Sequence, residues 1–142
     1  MNLVRNILEA KQKRAVTVSP DANVIEALRL MADHNIGAVI VMKNNSYLGI
    51  FTERDYSRKV VLQGKNSGAT KVSEIMSVGL PELDPKDSIE ICMELMNDKN
   101  VRYLPVFENE LLCGIVSISD VIRQLILVQQ QTIQHLENYI HQ

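Results

Sequence analysis

The segment Gly49-Ile50-Phe51-Thr52-Glu53-Arg54-Asp55 is the most informative part of the sequence, because Gly114-Ile115-Val116-Ser117-Ile118-Ser119-Asp120 repeats its pattern 65 positions later. The same offset, without a gap, extends back to Pro20 and Pro85. Further identical pairs at this offset are Met31/Met96, Asp33/Asp98, Asn35/Asn100, Val41/Val106 and Asn44/Asn109. Two copies of one supersecondary unit usually bury their apolar faces against each other. The sequence therefore predicts two similar halves packed with pseudo-two-fold symmetry, with a cleft between them.

Each copy predicts the element order β-α-β-β-α, which gives an α/β (α+β) fold. A short extended stretch opens the copy, at 15–18 in the first and at 79–83 in the second. A helix follows, because apolar residues recur at i, i+3, i+4 and i+7. These residues are Val24, Ala27, Leu28 and Met31, then Ile89, Cys92, Met93 and Met96. Two strands joined by a turn, and a final helix, complete each copy.

Local residue types predict where these elements begin and end. Asn23 with Glu26 predicts a capping box at the start of the first long helix. Asn35 and Asn100 predict the ends of the two equivalent helices, because asparagine tolerates the left-handed backbone of a helix end. Pro105 has no backbone N–H, which predicts an edge strand or a free position at that point.

The last helix carries a longer apolar stripe than its counterpart in the first copy. We call this stripe the seam; it consists of Ile122, Ile126, Gln129, Ile133, Leu136 and Ile140. Spacings of three and four residues are typical of a coiled coil, and a single polar member fixes register. Two arrangements remain open. The helix lies back on its own domain, or it pairs with the same helix of a second copy in a homodimer.

Composition favours a soluble protein. Of the 142 residues, 46% are hydrophobic and 23% charged, close to the globular average, and the net charge is −2. The chain lacks the basic tract of nucleic-acid binders. Its apolar runs, of about five residues, are far shorter than the roughly 20 that span a bilayer. Since no stretch resembles a signal peptide, we expect a cytoplasmic protein with neither a nucleic-acid nor a membrane partner.

The thiols and imidazoles of the chain suggest no chemistry of their own. Cys92 and Cys113 occupy positions that are alanine and leucine in the first copy, so we expect two buried, reduced thiols. The alternative is a disulfide or a reactive thiol, which no CxxC spacing supports. His34, His135 and His141 lie outside the repeated motif, and no Cys/His/Asp cluster has the spacing of metal ligands. We therefore expect no metal site.

The repeated motif, G-h-h-[ST]-x-x-D between a strand and a helix, has two interpretations. In the first it is only a helix cap, in which the Thr52 or Ser117 hydroxyl accepts a backbone N–H and the aspartate reaches back. In the second, the helix N-terminus attracts a phosphate. The hydroxyl adds a contact, and the carboxylate of Asp55 or Asp120 accepts from both hydroxyls of a ribose. The glycine allows a ligand or a backbone to approach closely.

Two such motifs in register, each preceded by a matching helix, resemble the cystathionine-β-synthase (CBS) domain pair, also called a Bateman module, over about residues 3–127. The matching segments before the motif are Ile36-Gly37-Ala38-Val39 and Val101-Arg102-Tyr103-Leu104-Pro105-Val106. The resemblance implies a first CBS repeat at 3–64, a linker at 65–71, a second repeat at 72–127 and a C-terminal helix extension at 128–142. It also implies an adenosine-containing ligand in the cleft between the repeats: AMP first, or ADP, ATP, NAD(H) or S-adenosylmethionine.

The resemblance implies a role for each matching residue. Ribose hydroxyls would bind Asp55 and Asp120. Phosphate would face Thr52, Arg54, Ser117 and Ser119, and Thr17 would lie at the edge of the base. The residues flanking adenine would be Ile36, Gly37, Ala38, Val101, Arg102 and Tyr103. Arg102 would also reach phosphate from the opposite repeat, whereas its counterpart Gly37 carries no charge. Because residues 79–83 also lack the V-x-V pattern of the first opening strand, the two sites are unequal.

We therefore expect a regulatory adenine-nucleotide-binding module, an energy or metabolite sensor that acts in trans on an unidentified partner protein. We expect neither a cofactor nor catalysis, because the sequence supplies no nucleophile held by a base. The alternative is a structural dimerisation or interaction module with no physiological ligand. An aspartate plus a hydroxyl at both helix starts favours the nucleotide sensor.

Overall fold

The structure is a computed structural model that describes residues 2–12 and 14–141. The chain forms two compact units. The Asp55 unit is Arg14–Leu80, and the Asp120 unit joins the N-terminal segment to the chain from Pro81 onward. The Asp55 unit therefore includes residues 72–80 of the predicted second repeat, and the Asp120 unit includes residues 3–12 of the predicted first repeat. Gln142, the last residue of the predicted C-terminal extension, lies outside the described residues.

The described residues form the alternating helices and strands that the periodicity predicts, with short helices added before each copy. The helices are α1 (Val4–Lys11), α2 (Val24–His34), α3 (Glu53–Asp55), α4 (Val72–Ile75), α5 (Ile89–Lys99) and α6 (Ile118–Ile140), with a π-helix at Tyr56–Val61. The strands are β1 (Thr17–Val18), β2 (Ala38–Lys43), β3 (Ser46–Thr52), β4 (Tyr103–Glu108) and β5 (Leu111–Ser117). The fold is thus α/β, as predicted.

The sheets differ between the units because of one proline. In the Asp55 unit, β1 pairs in parallel with β2, and β2 pairs antiparallel with β3. The Ile40 N–H there donates to Val16 O at 3.0 Å. Pro105 occupies the equivalent position of β4 and has no N–H to donate. The predicted second opening strand is accordingly reduced to a single parallel bridge from Leu83 to Val106, and the prediction of a free position at Pro105 is confirmed.

The helix ends follow the predictions, but one predicted cap is wrong. Asn35 and Asn100 end α2 and α5 in left-handed conformation, with φ of 52° and 51°. Ser88 caps α5 by accepting from the Ile91 N–H at 3.1 Å. Asn23 makes no such side-chain bond, so the predicted capping box with Glu26 does not form. The Ile25 N–H, the second of the helix, donates instead to Ser67 O at 3.1 Å, because residues 65–71 lie against this helix start.

Each unit has its own hydrophobic core beneath the helix face that the sequence predicts. In the Asp55 unit, α2 buries Val24, Ala27 and Met31, while Leu28 is half-buried. In the Asp120 unit, α5 buries Ile89, Cys92 and Met96 in the same pattern. The apolar stripes of α2 and α5 therefore support the strands that lead to the two repeated motifs.

The prediction of two buried thiols is half wrong. Cys92 is buried and Cys113 is exposed, and both are free. The pairing of β4 with β5 shifts register between Val106 and Phe107, which leaves Cys113 as the extra residue of a β-bulge. The same shift occurs at Leu48 in the first copy. A bulge interrupts the alternation of side chains, and this turns Cys113 outward.

The helix α6 extends beyond the part that packs on its unit. Its buried residues, Asp120, Val121 and Gln124, all lie in the first two turns. The seam is exposed along its whole length, from Ile122 at 52% to Ile140 at 74%. The arrangement in which the helix lies back and covers this stripe is therefore not observed. No helix in the part of the chain that the structure describes is long and apolar enough to cross a membrane.

Candidate functional site

The first repeated motif forms a complete helix cap around a buried carboxylate. The Thr52 hydroxyl accepts from the Asp55 N–H at 3.1 Å, and Asp55 Oδ2 accepts from the Thr52 N–H and hydroxyl, both at 3.0 Å. The other oxygen, Oδ1, accepts from Ser77 Oγ at 2.8 Å and from Lys59 Nζ at 2.9 Å. The capping interpretation is thus realised, and Oδ1 is left to side chains outside the cap.

The second motif repeats this cap with different outer partners. The Ser117 hydroxyl accepts from the Asp120 N–H at 3.1 Å, and Asp120 Oδ2 accepts from the Ser117 N–H at 2.9 Å. Lys11 Nζ also lies 2.9 Å from Oδ2, and Arg123 NH1 lies 3.2 Å from Oδ1. Both carboxylates are therefore buried, capped and paired with a cation.

Lys11 in the Asp120 unit contacts the same two groups, a strand carbonyl and the motif aspartate, that Ser77 contacts in the Asp55 unit. Ser77 donates its backbone N–H to Ile50 O at 2.8 Å and its hydroxyl to Asp55. The Lys11 ammonium donates to Ile115 O at 2.8 Å, the equivalent carbonyl, and pairs with Asp120. One ammonium at the end of α1 thus replaces a backbone amide and a hydroxyl.

The segments predicted to flank adenine lie directly beside each cap. Ala38 pairs with Thr52 across β2 and β3, and the Glu53 N–H donates to Gly37 O at 3.1 Å. In the second copy the Ile118 N–H donates to Arg102 O at 2.9 Å. These bonds occupy the first N–H of each helix, a group that the sequence motif by itself leaves open to a phosphate. Phosphate binding would therefore depend more on side chains than on the helix N-terminus.

The other predicted residues divide by exposure. Those exposed to solvent are Thr17, Arg102 and Ser119. Those half-buried are Ile36, Gly37, Thr52, Arg54, Val101, Tyr103 and Ser117. Within each unit the structure brings the adenine-flanking segment, the hydroxyl and the aspartate together. Thr17 lies one strand further away, because β1 pairs with β2 at Ile40 and not with β3.

The motif glycines accommodate the chain's own atoms. A Cβ on Gly49 would lie 2.5 Å from Ser77 O, and one on Gly114 would lie 3.2 Å from Leu8 Cδ2. The close approach that the sequence predicts is therefore made by backbone at Gly49 and by a leucine side chain at Gly114. A bound ligand is not needed to explain either glycine.

Four residues pair with the aspartates from outside the caps and are absent from the sequence prediction: Lys59, Ser77, Lys11 and Arg123. Lys59 follows Asp55 at i+4, a spacing at which opposite charges meet on a helix, so this signal was present. Ser77 and Lys11 are far from their aspartates in sequence, and only the tertiary structure brings them there.

The surroundings of Asp120 favour its ionised form. Burial raises the pKa of this carboxyl, but hydrogen bonds from Ser117 and Lys11, together with the Lys11 charge, outweigh that effect. The net result is a pKa below the ordinary value of 3.8. Asp120 is therefore a carboxylate at neutral pH, able to accept hydrogen bonds but not to donate them.

A cavity of about 470 Å³ in the Asp55 unit borders two of the predicted residues, Ile36 and Gly37. Its other walls are Leu28, Met31, Ala32, Asn35, Glu53 and Tyr56. Thr52, Arg54 and Asp55 do not line it. The Glu53 carboxylate disfavours a phosphate in this space, and the cavity borders the motif at 49–55 only through Glu53. Within residues 2–12 and 14–141, no group of three or more His, Cys, Asp or Glu is placed to hold a metal ion.

Comparison with known proteins identifies the family of the chain that carries these two capped turns. The model of the CBS domain matches residues 4–61 and 72–127, most of the chain. The chain belongs to the CBS domain family. This CBS protein is 34% identical over 146 residues to CBS domain-containing protein CBSX3, mitochondrial, of Arabidopsis thaliana, covering 96% of this chain and 71% of that protein. CBS domain pairs are regulatory modules, and proteins built only of CBS domains are generally not catalytic.

Two solved structures of CBS proteins resemble it. The CBS-domain containing protein ATU1752 from Agrobacterium tumefaciens has a TM-score of 0.81 and 37% identity, covering 86% of this chain and 98% of that one. The CBS domain pair of protein MJ0100 was solved with 5′-methylthioadenosine and S-adenosyl-L-methionine. It has a TM-score of 0.76 and 24% identity, covering 87% of this chain and 94% of that one. At that identity the second likeness concerns the fold alone.

Proposed function

We propose that this CBS protein is a regulatory module that binds an adenine nucleotide, AMP first among the candidates, at the strand-to-helix turn of each repeat. Asp55 and Asp120 accept hydrogen bonds from the ribose hydroxyls. The observation that carries the proposal is how each carboxylate is used. In both turns Oδ2 completes the helix cap, whereas Oδ1 meets only side chains outside the cap. A cap needs one oxygen, so Oδ1 can exchange its side-chain partners for a ligand without breaking the cap.

The kind of ligand and the mode of action rest on chemistry and family. The complex of MJ0100 with two adenosine-containing compounds supports the same ligand class here. ADP, ATP, NAD(H) and S-adenosylmethionine are therefore tested beside AMP. We propose action in trans, in the cytoplasm, on a partner protein that senses the ligand-bound form. The proposal includes no cofactor and no catalytic step.

Replacing the two aspartates by asparagine tests the ribose contact. Asparagine retains a carbonyl for the cap but loses the charge and one acceptor. Since a hydrogen bond to a charged group contributes about 1.5–3 kcal/mol, each single variant should weaken AMP about tenfold or more at its own site. The double variant Asp55→Asn/Asp120→Asn should lose measurable binding. Isothermal titration calorimetry on the full chain measures this.

The matched control is Asp98→Asn, which removes an exposed carboxylate in the Asp120 unit and should leave AMP affinity unchanged. Circular dichroism confirms that each variant is folded. A folded double variant that still binds AMP with the wild-type affinity would contradict the proposal. So would the absence of binding by wild type to every adenine compound in the panel.

Arg102 is the side chain we propose for phosphate, because it is exposed beside the second cap and its counterpart is Gly37. Arg102→Ala should weaken AMP much more than adenosine, and added salt should weaken AMP binding to wild type more than to the variant. Calorimetry with both compounds at two salt concentrations measures this. Equal losses for AMP and adenosine would show that Arg102 positions the loop and does not meet phosphate.

A second candidate function, dimerisation without a ligand, is favoured by the exposed seam on α6. The seam runs from Ile122 to Ile140 of this helix, a length of about 28 Å at 1.5 Å per residue. Its exposed apolar residues follow heptad spacing, which suits the same helix of a second copy. We propose that this CBS protein forms a homodimer through the seam, whether or not it also binds a nucleotide.

Truncation after Leu127 tests the seam. Burying each Ile or Leu contributes roughly 1.5–3 kcal/mol, so the truncated chain should dissociate at concentrations where the full chain is dimeric. Light scattering measures the mass, and circular dichroism shows that the repeats remain folded. A monomeric full chain at tens of micromolar would refute the dimer. A dimer unaffected by truncation would refute the seam's role.

Release of an adenine-absorbing compound on denaturation would favour the sensor over a ligand-free dimer.

A further inference from the structure

The carboxylate of Asp55 has no acceptor position left for a ribose. A carboxylate offers about four lone-pair positions. At Asp55 the described residues fill four, with two donors from Thr52, one from Ser77 and one from Lys59. Two ribose hydroxyls can bind there only when protein donors leave. The identity of the donor that leaves decides how readily this turn takes a ligand.

Lys59 is the donor best able to leave. The Thr52 donors belong to the helix cap, and two backbone hydrogen bonds with Ile50, of 2.8 and 3.0 Å, hold the Ser77 backbone beside Asp55. The Lys59 side chain is 41% exposed and flexible. Its ammonium also has a second acceptor, Ile75 O, at 3.2 Å. The charged ammonium of Lys59 therefore occupies Oδ1 of Asp55, the oxygen that a ligand needs. Its exposed side chain can move away more easily than the donors of Thr52 and Ser77.

Oδ1 of Asp120 is less completely occupied than Oδ1 of Asp55. The backbone and hydroxyl of Ser117, with Lys11, supply the other donors to Asp120, and the described donor on Oδ1 is Arg123. The Arg123 side chain is 73% exposed and its bond is 3.2 Å long, so this contact is weak. The residue equivalent to Lys59 in the repeat is Gln124, which is neutral. Oδ1 of Asp120 therefore retains a free acceptor position, whereas Oδ1 of Asp55 has none.

We infer that Lys59 is an internal competitor of the ligand at Asp55, so that the turn at Asp120 takes up ligand first. This inference rests on the proposed nucleotide binding. Lys59 is thus a specificity-determining residue that makes the two repeats unequal. Its ammonium satisfies a buried carboxylate in the absence of ligand and is exchanged for ribose hydroxyls when the ligand is abundant.

The experiment uses adenosine, which has the ribose but no phosphate. Removing the Lys59 charge therefore cannot change the affinity through attraction to a phosphate. Asp120→Asn in the full chain isolates the turn at Asp55. Adding Lys59→Met to that background should tighten adenosine about tenfold or more, the value of one charged hydrogen bond. Adding Lys65→Met, the same change at an exposed lysine of the same unit, should leave the affinity unchanged. Lys59→Gln provides a second test if the methionine variant does not fold.

Titration of the single aspartate variants gives the second readout. Asp55→Asn should retain the tighter binding event of wild type, and Asp120→Asn should lose it. The inference is overturned if Lys59→Met and Lys59→Gln leave adenosine affinity unchanged or weaker, or if Asp55→Asn removes the tighter event. Either result, with normal binding by wild type, leaves the proposed function standing. Failure of wild type to bind any adenine compound overturns both.

Discussion

Replacing Lys11 by methionine tests whether the lysine supports the Asp120 unit. The Lys11 ammonium lies 2.9 Å from Asp120 Oδ2 and 2.8 Å from Ile115 O. The lysine side chain is 28% exposed and the aspartate side chain 9%, so the pair is largely shielded from water. Methionine retains the apolar stem but removes both hydrogen bonds and the charge. The buried carboxylate then depends on Ser117 and on the exposed Arg123.

The expected cost is about 2 kcal/mol in the free energy of unfolding at pH 7. A hydrogen bond to a charged group contributes about 1.5–3 kcal/mol, and leaving a fully buried charge without its partner costs about 3–5 kcal/mol. Lys11 is partly exposed and Asp120 keeps its contact with Arg123, so we expect a cost within the range for one charged hydrogen bond. Urea unfolding followed by circular dichroism measures the difference. Lys86→Met, at an exposed lysine of the same unit, is the control.

The pH dependence supplies an independent check. In the folded protein the pKa of Asp120 lies below its ordinary 3.8, and Lys11 is one of the causes. A depressed carboxyl pKa contributes stability that is present above the unfolded pKa and is lost as pH falls through the folded value. The advantage of wild type over Lys11→Met should therefore narrow below about pH 4. A variant as stable as Lys86→Met at pH 7, or a difference that stays constant on acidification, would refute the reasoning.

Three further predictions follow from the fold. Burial raises the pKa of the Cys92 thiol to about 11, so at pH 7.5 a thiol reagent followed by mass spectrometry should label Cys113 in the folded protein and Cys92 only after unfolding; equal labelling of both would contradict this. Gly49→Ala places a methyl group 2.5 Å from a crossing carbonyl and should cost about 1–3 kcal/mol in urea unfolding, and an unchanged midpoint would show that the crossing is not close. Ser88→Ala should cost about 1 kcal/mol in the same assay and Asn23→Ala less, because only the serine caps its helix; equal costs would argue against that difference.

The sequence predicts most of the local structure because local structure depends on local patterns. The apolar spacing of α2 and α5, the helix ends at Asn35 and Asn100, and the caps at both motifs follow from residues within one or two turns. The failure at Asn23 has a tertiary cause. The Ile25 N–H of its helix donates to Ser67 O, in a segment far along the chain, so the Asn23 side chain is not needed for that N–H.

Pro105 shows how one residue acts through a partner that the sequence does not identify. Its missing N–H predicts a free position. Only the pairing shows that this position faces the opening segment, which is therefore reduced to one bridge at Leu83. Cys113 is a similar case, because a register shift, and not its residue type, turns it to solvent.

The repeat, the α/β fold and the two capped aspartates can be predicted from the sequence, because each depends on residues at regular spacings. The partners of those aspartates outside the caps depend on tertiary packing. Lys11 reaches Asp120 from the other end of the chain, and Ser77 reaches Asp55 from the segment that follows the linker. Such contacts depend on how distant segments pack. The match between the two copies at a fixed offset does not predict that packing. The contacts of Asp55 with Ser77 and of Asp120 with Lys11 therefore become apparent only in the folded chain.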